Sequence, residues 1–319
     1  MTSVFVSIYI LTYKKFEGIY KCLSSALLQD YDNFEIILSD DGSPNFPYYD
    51  IKTFIENKKT KNIKSYSILR NEENRGTVKN ANTALSFAKG DIFIPLAGDD
   101  FFFSKTVVSQ IVENYNNTHF KLLVTSRIVI KDGKPKCLFP HYLSRNIVKK
   151  KLDSPKSQYK AFVIDQQYDF SSGSVLIIDS ELYRSLGGFD EKYRLWEDVP
   201  FQLKALAHGI RIEMDHSIIS LCYVLGGVSN IGGNSIMRKD VELYNSTDRK
   251  RDPFGFDNFT RRIVKYEILR RSCNDKLILL RLKYVDVLLD RLFYKLGEFV
   301  RGYFDRFFVK SIGKIVKPE

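Results

Sequence analysis

Residues 6–43 read VSIYILTYKKFEGIYKCLSSALLQDYDNFEIILSDDGS. Val4–Thr12 is apolar and rich in β-branched residues, which favours a strand. Phe16–Gln29 then places Ile19, Leu23, Ala26 and Leu27 on one helical face. Phe34–Ser39 is a second short apolar run, closed by the turn-forming Asp-Asp-Gly-Ser. The alternation continues with a strand over Ile63–Leu69, a helix over Thr77–Lys89 and a strand over Asp91–Ala97. Two β-α-β units in succession predict an α/β fold with a mostly parallel central sheet and helices on both faces.

Such sheets bind ligands beyond the carboxyl ends of their strands. Asp40 and Asp41 follow one strand and Asp99 and Asp100 another, so both pairs belong to the same sheet edge. Clustered carboxylates repel one another unless a cation or a ligand compensates. Oxygen ligands of this kind suit Mg²⁺ or Mn²⁺, which also take oxygens from substrate phosphates. Asp-Gly and Gly-Asp-Asp are turn formers as well. A third acidic group, Glu197-Asp198, follows Trp196. Asp198 is a candidate general base. Trp196 offers a flat apolar face to a sugar ring. The same acids also suit the first turn of a helix running to His208, with Pro200 inside that turn.

Beyond residue 100 the pattern loosens. Strands are expected over Lys121–Ile130, Val175–Ile178, Arg211–Glu213 and Ile218–Val224. Helical segments are expected over Glu181–Leu186 and Pro200–His208. Residues 141–160 read as basic loop and 225–260 as loop or linker. His216 reads as a satisfied structural histidine within a strand. From Phe259 the pattern is helical to the end.

The chain has 319 residues, 44% hydrophobic and 27% charged, which excludes disordered, collagenous and disulfide-framework classes. Cys22, Cys137, Cys222 and Cys273 form no CxxC pair, which fits a reducing cytosol. Positive charges follow the first apolar run rather than precede it, unlike a secretory signal. The longest uncharged stretch, Ser217–Met237, is too rich in Ser, Gly and Asn for a membrane span. Of the net charge of +11, residues 249–319 hold +9, from 18 Lys/Arg against 9 Asp/Glu.

Three blocks in order resemble family 2 glycosyltransferases: residues 6–43, residues 74–100 (NRGTVKNANTALSFAKGDIFIPLAGDD) and residues 187–198 (GGFDEKYRLWED). The resemblance spans roughly residues 4–230. It implies a GT-A fold that binds a nucleotide-sugar, by family default a UDP-sugar, with Mg²⁺ or Mn²⁺. By match to the motifs, Asp40 and Asp41 would hold the base and ribose. Thr12 and Tyr13 would line that pocket, and Asn74, Arg75 and Gly76 would border it. Asp99 would ligate the metal bridging the diphosphate, with Asp100 beside it. Asp198, with Glu197, would deprotonate the acceptor, and Trp196 and Gly173 would bind it. Such a transfer inverts the anomeric centre in one displacement. The family often has Asp-x-Asp-Asp where this chain has Ala97-Gly98-Asp99-Asp100, which removes one candidate ribose or metal contact. Residues 223–227 also lack a histidine that many relatives carry.

The expected organisation is a catalytic domain over 1–230, a linker over 231–258 and a basic amphipathic helical region over 259–319. In that region Val285, Leu289, Leu292, Leu296, Phe299, Tyr303 and Phe307 recur at spacings of three and four. Membrane association through an anionic lipid surface, packing on the catalytic domain and helix pairing in a homodimer are its three readings, membrane association leading. It would place a cytoplasmic enzyme peripherally at the inner face of the plasma membrane, near a glycan or lipid-linked glycan acceptor of surface polysaccharide synthesis. A nucleic-acid-binding protein is the rival from another class, but the basic residues interleave with an apolar stripe and no nucleic-acid motif is present. A Rossmann dehydrogenase would need a glycine fingerprint where Thr12 is followed by YKKFEG. A non-catalytic relative that only binds nucleotide-sugar is the third alternative.

Overall fold

Strand β1 (Val6–Thr12) lies between β2 (Phe34–Asp40) and β4 (Ile92–Ala97), parallel to both. This computed structural model describes residues 3–165, 170–225, 235–272 and 277–312. Between these strands run α1 (Ile19–Leu27), α2 (Tyr48–Lys58), β3 (Ile63–Arg70) and α3 (Thr77–Ser86). Then come β5 (Phe101–Phe102), α4 (Val107–Thr118), β6 (Leu122–Lys131), β7 (Lys134–Phe139), α5 (Ser144–Lys151) and α6 (Pro155–Val163). They are followed by β8 (Leu176–Asp179), α7 (Ser180–Ser185), α8 (Asp198–Ala207), β9 (Ile212–Val224) and α9 (Ser235–Ser246). Three helices close the described chain: α10 (Asn258–Ser272), α11 (Leu277–Lys283) and α12 (Val285–Ile312).

The sheet order is β3-β2-β1-β4-β8-β6-β9-β5, with β7 beside β6. The β3-β2-β1-β4 half is parallel, and β8 joins it antiparallel to both β4 and β6. Strands β1, β2 and β4 are buried along nearly their whole length, which is why they read as continuous apolar runs. Register pairs Thr12 with Asp40 and Leu11 with Ala97, so both acidic pairs reach one edge, as the strand spacing predicts.

Several expectations need correction. Helix α2 is absent from the sequence reading because only Ile51 and Ile55 mark its buried face. Residues 141–160 are two helices rather than loop. Ser154 caps α6 through a capping box with Ser157, Pro155 opens it, and its inward face includes Gln158, Tyr159 and Phe162. Ile212–Val224 forms one strand, β9, where two were expected, and its pairing with β6 shifts register midway. The segment read as a linker holds α9. Its Tyr244 is 2% exposed, and its Asp240 accepts the Arg194 and Leu195 N–H groups. Buried Arg249, just beyond, pairs with Asp165 at 3.0 Å. Polar residues made this stretch look like loop, and partners distant in sequence satisfy them. His216 is buried in β9, but its ring nitrogens make no well-aligned hydrogen bond among the described residues. Burial lowers its pKa to about 4 and keeps it neutral. Cys22, Cys137 and Cys222 are free thiols, and Cys273 lies outside the described residues.

Candidate functional site

The loops after β1, β2 and β4 are stitched to one another. Asp41 N–H donates to the Thr12 carbonyl and Lys14 N–H to Ser43 Oγ. Asp40 is fully buried and accepts from Ser43 N–H (2.7 Å) and Ser43 Oγ (2.5 Å). Asp41 accepts Asn71 Nδ2 (3.0 Å), Asn74 Nδ2 (2.8 Å), Arg75 N–H (2.9 Å) and Gly76 N–H (2.8 Å). Four donors fill the usual acceptor capacity of a carboxylate. Within the chain, Asp40 closes its own turn and Asp41 holds the 71–76 loop. Gly42 sits between them at φ +71°, where a Cβ would meet the Glu73 carbonyl carbon at 2.4 Å. Asn80 extends the network by donating to the Ser39 carbonyl and accepting from Ser39 Oγ and Asn71.

Thr12 is buried against Gly98. Tyr13 is half-buried, with Lys14 Nζ 4.9 Å from its ring centre. Asn74 and Gly76 face the acceptor block, because Arg194 Nη2 donates to the Asn74 carbonyl (2.9 Å) and Asn74 Oδ1 (2.8 Å). The Arg75 side chain is exposed.

Asp99 is half-buried at the mouth and Asp100 is buried behind it. Asp100 Oδ1 accepts Val224 N–H at 2.7 Å, and Oδ2 has no hydrogen-bond partner among the described residues. Burial raises its carboxyl to about 8, with the negative charge of Asp99 adding to the effect.

Asp198 opens α8. Its Oδ2 accepts Gly173 N–H at 2.7 Å. A Cβ on Gly173 would lie 2.9 Å from both Asp198 Cβ and Oδ2, so only glycine admits this approach. Gly173 thus orients Asp198. Burial raises both Glu197 and Asp198, Glu197 to about 8 with the Asp198 charge contributing. The Val199 and Gly173 N–H groups and the Arg127 charge oppose the rise at Asp198. Trp196 is half-buried and packs edge-on to Tyr244, with centroids 5.2 Å apart.

Arg127, on β6, was missed in the sequence. Its Nη1 donates to Ser172 Oγ (2.7 Å) and Ser174 Oγ (2.5 Å), fixing the turn that presents Gly173. Tyr223 and Phe139 flank its guanidinium at 4.1 and 4.9 Å. Its charge acts on both Asp100 and Asp198. An arginine inside the apolar run LLVTSRIVIK was the available signal.

A sequence profile described as "Glycosyl transferase family 2" matches residues 7–182. The chain belongs to glycosyl transferase family 2. EpsE of Bacillus subtilis (strain 168), which carries a glycosyltransferase name, is 26% identical over 122 residues, 36% of this chain and 42% of EpsE. The fold resembles S. aureus TarS at TM-score 0.58 and 17% identity, over 84% of this chain and 43% of that one. The chain thus spans less than half the length of either. TarS 1-349 in complex with UDP-GlcNAc gives 0.59 and 18%, over 88% and 76% of the two chains. The mannosyltransferase PcManGT from Pyrobaculum calidifontis, in complex with GDP-Man and Mn²⁺, gives 0.58 and 15%, over 99% and 88%. These neighbours bear out the α/β, GT-A type fold with additional C-terminal helices. Residues 226 and 227, where a family histidine was sought, lie outside the described residues.

Proposed function

We propose that this chain is an inverting glycosyltransferase that moves a sugar from a nucleoside diphosphate sugar to a hydroxyl of a glycan or lipid-linked glycan acceptor. The carrying observation is that Asp198, held by the Gly173 N–H, and Asp100, behind Asp99, both lie within reach of one arginine charge, that of Arg127. Asp198 takes the acceptor proton as the hydroxyl attacks the anomeric carbon from the face opposite the leaving group. Arg127 keeps Asp198 ionised and offers positive charge to the departing diphosphate. The 71–76 loop, held by Asp41, lines the donor side. TarS with UDP-GlcNAc and PcManGT with GDP-Man support a nucleotide-sugar donor. A UDP-sugar and surface polysaccharide synthesis are the finer reading.

A divalent metal suits the residues present. No group of three or more His, Cys, Asp or Glu gathers among the described residues, and Mg²⁺ commonly takes only one or two protein carboxylates plus substrate phosphates. Asp99 and the unsatisfied Asp100 Oδ2 would hold it. Bound there, it would supply Lewis-acid stabilisation of the negative charge on the diphosphate.

A screen of UDP- and GDP-sugars for hydrolysis and binding, with and without Mn²⁺, tests the reading. Turnover of at least one donor, lost in Asp198→Asn, is expected. Absence of both binding and turnover across the panel would sink it.

A further inference from the structure

Helix α12 has its amphipathic character reversed. Most surface helices bury the apolar stripe and expose the polar one. Here the inward face carries charge: Arg291 pairs with Glu267, itself 0% exposed. Asp305 is 1% exposed and accepts Leu138 N–H (2.9 Å) and Tyr142 N–H (2.8 Å), with His141 Nδ1 at 3.0 Å. Val287 and Val309 are the small apolar complement on that side. Outward lie Leu289 (50% exposed), Phe293 (70%), Leu296 (50%), Phe299 (72%), Val300 (49%) and Phe304 (47%). At roughly 100° per residue these cover an arc of about 140°, diametrically opposite Val287 and Asp305.

We infer that this outward face docks on an anionic lipid surface. Three observations choose that occupant over a second copy of the chain. The arc is broader than the two-column seam of a coiled coil. Its flanking exposed charges, Lys295 and Arg306, are both positive, and Asp286 at the other edge is already paired with Arg262 at 2.9 Å. Residues 249–319 carry +9, which opposes self-pairing and attracts anionic headgroups. Phenylalanine with flanking lysine and arginine is the composition of helices that lie in a membrane interface. The helix lies on the surface rather than spanning it: no helix among the described residues is long and apolar enough to cross a membrane. The docked face is one layer from the site, because β7, which Asp305 holds through Leu138, also carries the Phe139 that packs on Arg127. That placement fits a lipid-linked acceptor and rests, for that clause alone, on the proposed function.

The experiment is flotation of the full chain with phosphatidylcholine vesicles and with vesicles containing about one third phosphatidylglycerol, beside the variant F293S/F299S. Both phenylalanines point outward, so the variant should melt as the parent does. We expect binding to the anionic vesicles only, weakened by high salt, and a loss of about tenfold or more in the variant. No binding by the parent, or equal binding by the variant, overturns the inference. So does a lipid-free dimer in sedimentation that F293S/F299S dissociates, since a second copy then covers the stripe. Nucleotide-sugar hydrolysis assayed without lipid reads the catalytic proposal separately.

Discussion

Asp198 is where one proton decides turnover. Asp198→Asn keeps the shape and the Gly173 contact but cannot accept a proton, so turnover should fall about 10²–10⁴-fold with donor affinity little changed. Steady-state kinetics beside calorimetric donor binding checks both halves. Arg127 acts on the same carboxylate. Its charge lowers the Asp198 pKa that burial raises, so removing it lets that pKa climb. The acid limb of the kcat/KM profile should therefore move to higher pH in Arg127→Met, and an unmoved limb would remove Arg127 from this role. Asp99→Ala should abolish Mn²⁺-dependent nucleotide binding and activity together. Titration calorimetry showing undiminished Mn²⁺ dependence would exclude Asp99 as the ligand.

Elements meet at this site through backbone groups, and the 71–76 loop has its shape from one carboxylate, Asp41, just past the end of β2. In Asp41→Asn one oxygen becomes an NH₂, which faces N–H donors and leaves them unpaired. A loss of about 1–3 kcal/mol is expected, read as a lower melting temperature. At the start of α8 the sign is opposite. Glu197 titrates near 8 in the folded chain and near the usual carboxylate range when unfolded, so the unfolded state loses its proton first as pH rises. The wild-type chain thus loses stability between about pH 5 and 8 from this group. Glu197→Gln should melt progressively higher than the parent across that window and equal it below. Thermal scans at pH 5 and 8 test the divergence.

The molecule as a whole is closed by α10 to α12, which are fastened to the catalytic layer. Asp305 satisfies two backbone donors at β7 and the loop after it, and Val309 joins Ile128, Leu138 and Cys222 in a small second core. Asp305→Ala strands the buried Leu138 N–H, so a destabilisation of about 1–3 kcal/mol is expected in denaturant unfolding. The apolar stripe does not pack on the catalytic layer, one of the readings the sequence allowed: Val287, Asp305 and Val309 are the buried side of the helix and the stripe is exposed.

Apart from α2, the alternation from Val6 to Asp100 is legible in the sequence because each element there is local. Buried parallel strands must be apolar throughout, and their ends must turn, so the acidic pairs fall on one edge whatever the rest of the chain does. The Glu197-Asp198 pair is legible for the same reason, at the start of its own helix. What those acids touch is decided at longer range. Asp41 meets donors 30 to 35 residues away, Asp198 meets Gly173 25 residues away, and Asp305 meets Leu138 167 residues away. Periodicity carries no information about such pairs. The segment read as a linker was misread on that account, since polar Asp240 and Arg249 look solvated until Arg194 and Asp165 are brought to them. The stripe on α12 is visible in the sequence, but the side it faces is not. A stripe reads the same turned inward or outward, and only the docking of Arg291 and Asp305 onto the core turns its phenylalanines to the outside.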